Sequence, residues 1–95
     1  MITSKQRAFL RSLANKIDAT VQVGKGGIND QLIKQVDEAL EARELIKLRV
    51  LDNCPYTSRE ASDIIAERTN SALVSVVGSR FVLYRPSKKN QKIIL

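Results

Sequence analysis

Val21-Gln22-Val23-Gly24-Lys25-Gly26-Gly27-Ile28-Asn29-Asp30 is a stretch in which an alternating apolar run meets a glycine cluster and then restarts as a helix. Three of the chain's four glycines fall in that turn. Glycine accepts positive φ and lets another backbone approach closely, so a strand ending here presents bare amides and one cation, Lys25, at a sharp corner. The spacing fits G-x-x-G, with which nucleic-acid-binding modules clamp a sugar-phosphate backbone against their main chain. The same residues also suit a plain strand-to-helix turn in which Lys25 is merely solvated.

Outward from the loop, the hydrophobic periods divide the chain into seven elements. Thr3-Ser4-Lys5-Gln6 is a capping box that opens a first helix, with Phe9, Leu10, Leu13 and Ile17 as its buried stripe. Thr20 to Val23 is a short strand leading into the glycines. Asn29 or Asp30 caps a second helix reaching about Ala42, with Asp30, Asp37, Glu38 and Glu41 on its outer face. Leu45 to Leu51 is a strand that turns Ile46, Leu48 and Val50 to one side and the cations Lys47 and Arg49 to the other. This strand-helix-strand order argues for a parallel crossover.

Pro55 delays the third helix, which a second capping box, Thr57-Ser58-Arg59-Glu60, starts and which ends near Thr69. Ala72 to Val77 and Phe81 to Tyr84 flank Gly78-Ser79, a two-residue hairpin turn with glycine first. Phe81-Val82-Leu83-Tyr84 is apolar throughout, which places it inside the sheet and the preceding strand at an edge. The expected architecture is an α/β two-layer open sandwich, α-β-α-β-α-β-β, with a four-stranded mixed sheet packed against helices. Residues 1–86 form the domain. Residues 87–95, carrying Lys88, Lys89 and Lys92, form a mobile basic tail whose Ile93, Ile94 and Leu95 are able to dock on it.

Composition narrows the function. The net charge of +6 is segregated: +4 over residues 1–29, −3 over 30–79 and +5 over 80–95. Two basic ends around an acidic middle imply one face that attracts polyanions. There is no histidine and only Cys54, which removes a Cys/His metal site, a disulfide and nucleophile-histidine catalysis. Gly24-Lys25-Gly26-Gly27 lacks the length and the hydroxyl of a nucleotide-hydrolysing phosphate loop. No apolar run reaches the ~20 residues of a membrane span. The chain reads as a cytoplasmic monomer that is not an enzyme, needs no cofactor or metal and avoids membranes. A protein-docking module and a nonspecific nucleic-acid binder are the competing classes.

In order, these elements resemble the YhbY family, the stand-alone bacterial form of the CRM domain. The resemblance runs from residue 2 to about 86. It rests on Lys5-Gln6-Arg7 with Leu10-Arg11, on Val21 to Lys25 with Gly27, on Glu44-Leu45-Ile46-Lys47, and on Thr69 through Gly78 to Val82-Leu83-Tyr84-Arg85. Ala19-Thr20 departs from the proline that many relatives carry before the first strand. What the resemblance implies is a sheet similar to that of the C-terminal domain of translation initiation factor 3, RNA binding through the loop and adjoining basic surface, and association with ribosomal RNA of the precursor large subunit. The residues expected at RNA are Gly24, Lys25, Gly26, Gly27, Lys5, Arg7, Arg11, Lys16, Arg85 and Lys88.

Overall fold

A computed structural model describes residues 2–95. Its elements follow the expected order: α1 (Ser4–Ala14), β1 (Ala19–Val23), α2 (Asp30–Arg43), β2 (Leu45–Val50), α3 (Ser58–Thr69), β3 (Ala72–Val77) and β4 (Arg80–Tyr84). Both capping boxes form, at Thr3 with Gln6 and at Thr57 with Glu60, and Asn29 caps α2 by accepting the Leu32 N–H at 2.8 Å. Helix α1 stops at Ala14, earlier than a stripe through Ile17 implies, yet Ile17 still packs inward from the turn that follows.

The sheet order is β1-β2-β4-β3, with β1 and β2 parallel and the other two pairings antiparallel. Strand β4 is thus central, and Phe81 to Leu83 are buried from both sides as their unbroken apolar run requires. Gly78 takes φ +60 at the hairpin turn.

Alternation on the strands feeds two cores. Val21, Val23, Ile46, Leu48, Val50, Phe81 and Leu83 meet Leu32, Val36 and Leu40 of α2 and Ala61 and Ile65 of α3. On the opposite face Leu45, Val74, Val82 and Tyr84 meet only Leu10 and Ala14 of α1, with Ile2, Leu13, Ile17 and Ile93 at the margin. One helix is too narrow to cover that face. The uncovered part lies at the end of the sheet where β1 and β2 finish and the hairpin turns, and it bears the glycine loop.

The opposite end is closed by Glu44. Helix α2 passes into β2 through this one residue, which sits at φ +67 and is fully buried. Its carboxylate accepts the N–H groups of Ser87 at 2.8 Å, Lys92 at 2.6 Å and Ile93 at 2.7 Å, and its carbonyl accepts that of Arg85 at 2.9 Å. Glu41 accepts the Ser87 hydroxyl and the Lys88 N–H. The basic tail is therefore strapped to the domain, not mobile: two carboxylates satisfy the amides that a free tail would leave to water.

Candidate nucleic-acid interface

Gly24 to Gly27 form a β-turn closed by the Gly27 N–H donating to the Gly24 carbonyl at 3.0 Å. The turn leaves the amides of Lys25 and Gly26 without a backbone partner among the described residues, and the Lys25 side chain is exposed. Gly27 is buried at φ +67, and a Cβ there would stand 3.3 Å from Pro55 Cγ and 3.6 Å from Tyr56 Cε2. Both the backbone angle and the packing require glycine at this position. The loop is held by the β2–α3 connection behind it, so its amides are presented on a fixed frame.

The open sheet face begins one rung below. Gln22 pairs with Arg49, and Arg49 pairs with Arg80 directly across the antiparallel β2–β4 ladder. Residues opposed in this way share a face, and like charges so placed repel. Two residues along β2, Lys47 adds a third cation on the same face. Arg11 reaches the groove that Lys47 and Arg80 line, from α1. Among the described residues none of these four has an ion-pair partner; Asp18 is the one acid lining the same face, in a groove with Lys47, Arg49 and Arg80. Four cations around a turn with free amides make a surface that would bind the phosphates of an extended polyanion.

The residues expected from sequence do not all gather here. Gly24 to Gly27 and Arg11 do. Arg7 lies at the β3 edge, donating to the Leu73 carbonyl at 3.5 Å, and Lys5 is exposed in the first turn of α1. Lys16 lines a groove on the other side of α1 with Arg43, Leu45 and Ile93, and meets the open face only through Lys47, which lines that groove too. Lys88 belongs to the strapped tail, beyond the end of β4 remote from the loop.

Arg85 is withdrawn from the surface. Its guanidinium bonds Asp37 Oδ1 at 2.6 Å, the Thr69 carbonyl at 2.8 Å and the Asp37 carbonyl at 3.0 Å, and its side chain is 12% exposed. It is a clamp between α2 and the end of α3, and Asp37, expected on a solvated acidic face, is its counter-ion. Lys47, Arg49 and Arg80 are the cations that reading by charge alone passed over. The signal was present: Lys47 and Arg49 alternate with core residues on β2, and Arg80 starts the strand that pairs with them.

Comparison with known proteins is decisive on family. The CRS1 / YhbY (CRM) domain matches residues 2–85. The chain belongs to this family. As a CRM domain it is similar to the Probable RNA-binding protein YqeI of Bacillus subtilis, 48% identical over 95 residues, 100% of this chain and 99% of that protein. A Haemophilus influenzae protein named RNA-binding protein is 32% identical over 88 residues, covering 93% of this chain and 89% of its own length. The solution structure of the hypothetical protein SAV1595 from Staphylococcus aureus shares the fold, with TM-score 0.83 and 52% identity, covering 100% of this chain and 99% of the other. The names of these CRM relatives refer to RNA binding and not to catalysis.

Proposed function

We propose that this CRM domain binds structured RNA, laying phosphates over the Gly24–Gly27 turn and onto the open sheet face formed by Arg49, Arg80, Lys47 and Arg11. The observation that carries this reading is the Arg49–Arg80 pair, opposed on one face and, among the described residues, with no carboxylate bound to either arginine, one rung below amides without backbone partners. Such a pair costs folding stability unless an anion is recruited to it. Lys5, Arg7 and Lys16 act, in this reading, as a weaker periphery along α1. RNA is favoured over other polyanions by the RNA-binding names of the relatives.

The finer assignment is ribosomal RNA of the precursor large subunit, bound by a cytoplasmic monomer during subunit assembly; the family resemblance supports it. No helix of the described residues is long and apolar enough to cross a membrane, and no cluster of three or more metal-binding side chains occurs among them. The reaction class is binding, without catalysis or cofactor. Crosslinking the protein to RNA in its own cells and sequencing the fragments tests the assignment. Reads concentrated at one large-subunit site are expected; a diffuse messenger-RNA profile would overturn it.

A further inference from the structure

The glycine turn has a neighbour that phosphate binding leaves unused. Of the four aromatic residues, Phe81 and Tyr84 are buried and Phe9, 47% exposed, stands on α1 away from the turn, whereas Tyr56 adjoins the turn and is 38% exposed. Its ring edge comes within 3.6 Å of where a Gly27 side chain would begin, and Pro55 Cγ stands 3.3 Å from the same point. The backbone that carries the ring is anchored from both directions along the chain: the Tyr56 backbone N–H donates to Cys54 Sγ at 3.4 Å, and Thr57, the next residue, caps α3 in a closed capping box. A ring on a backbone held this way has less freedom left to lose when a ligand covers it.

Resting on the RNA-binding reading above, we infer that Tyr56 is a stacking platform for an unpaired RNA base whose phosphate sits at the amides of Lys25 and Gly26. Tyr56 borders the turn directly, and unpaired bases splayed onto aromatic rings are the usual basis of specific RNA recognition. A continuous duplex keeps its bases stacked inward and offers no face to Tyr56. The preferred ligand is therefore an RNA with an unpaired nucleotide, a bulge or loop, set in a helix whose backbone follows Arg49 and Arg80.

The test uses two hairpin RNAs that differ only in a single-adenine bulge, with wild type, Tyr56→Phe, Tyr56→Leu and Lys25→Glu. Stacking onto an aromatic ring is worth roughly five- to 100-fold in affinity per base. Tyr56→Leu should weaken the bulged hairpin about tenfold and the closed hairpin less than twofold, while Tyr56→Phe stays within threefold of wild type on both. Tyr56 is the exposed tyrosine and Tyr84 is buried, so the bulged hairpin should also quench tyrosine fluorescence, and that quench should vanish in Tyr56→Phe. The fluorescence of wild type separates the outcomes even where the leucine variant folds poorly. An equal fold-loss of Tyr56→Leu on the bulged and the closed hairpin, or a bulge that leaves the fluorescence unchanged, would overturn stacking. If Lys25→Glu still loses affinity in that case, the RNA-binding reading survives without Tyr56; if it does not, both fall.

Discussion

The two ends of the sheet handle charge in opposite ways. At the strapped end the charges drawn into the fold have internal partners: Arg85 is matched by Asp37, the Glu44 carboxylate by three amides, and Glu41 by the Ser87 hydroxyl and the Lys88 backbone N–H. At the open end Arg49 faces Arg80, Lys47 and Arg11 stand nearby, and none has an ion-pair partner among the described residues. The strapped end uses ions to hold the fold, and the open end keeps cations available at a cost in stability. A count of basic residues along the chain cannot separate the two uses.

The largest effect should come from reversing both open-end arginines. Arg49→Glu with Arg80→Glu should weaken binding to a structured RNA on the order of 100-fold, because two phosphate contacts become repulsive. Single Arg49→Gln should lose affinity while raising the melting temperature by a few degrees, since the like-charge opposition is worth roughly 0.2–1 kcal/mol. Calorimetric melting together with a binding titration checks both signs. A fall in melting temperature equal to that of a core substitution would remove the idea that the pair opposes folding.

Next in size, and felt in stability rather than affinity, is the clasp. Glu44→Ala leaves the buried Ser87 amide and the part-buried amides of Lys92 and Ile93 without their acceptor, and the melting temperature should drop by about 10 °C while RNA affinity changes less than threefold. The pH response follows from the same geometry. Burial pushes the Glu44 carboxyl up, but the amides of Ser87, Ile93 and Lys92 outweigh it and hold the group below the ordinary carboxylate range. A pKa depressed by folding means that the clasp is fully stabilising above the unfolded value of about 4.3 and fails as pH falls through the lower, folded value. Hydrogen exchange of the Ser87, Lys92 and Ile93 amides should accelerate in that acid window in wild type, and exchange that is pH-independent after correction for intrinsic rates would contradict the clasp.

Lys25→Glu should cost about tenfold in RNA affinity with an unchanged melting temperature, as the residue is exposed on a turn whose geometry the glycines set. The smallest expected effect belongs to Glu38→Lys on the exposed face of α2, which should alter affinity less than twofold in the same titration. A gain there comparable to the loss at Lys25 would place the ligand on the wrong side of the molecule.

Much of this contrast was legible in the sequence, and the illegible part has a physical cause. The two capping boxes, the alternation of β2, the wholly apolar Phe81 to Tyr84 and the glycine turn each state a local preference that the fold obeys, so element order and the central place of β4 followed from them. Whether a cation is free depends instead on what folding brings beside it. Arg85 lies 48 residues from Asp37, and Glu44 lies 43 residues from Ser87. No local pattern marks such meetings. Glu44 is the sharpest case: a charged residue between helix and strand gives no hint that it will be buried at positive φ. Arg49 and Arg80 were likewise hidden until the β2–β4 register set them face to face.

The salt dependence of RNA binding tests the contrast between the ends most directly. Measuring log K against log salt concentration for wild type, Arg49→Gln, Arg80→Gln, Lys25→Gln and Lys88→Gln on one structured RNA counts the phosphates that each residue neutralises. The slope should shrink by about one unit for each of the first three variants and stay at the wild-type value for Lys88→Gln. Equal slopes in all five proteins, or a loss confined to Lys88→Gln, would contradict the assignment of the open end as the RNA-binding surface.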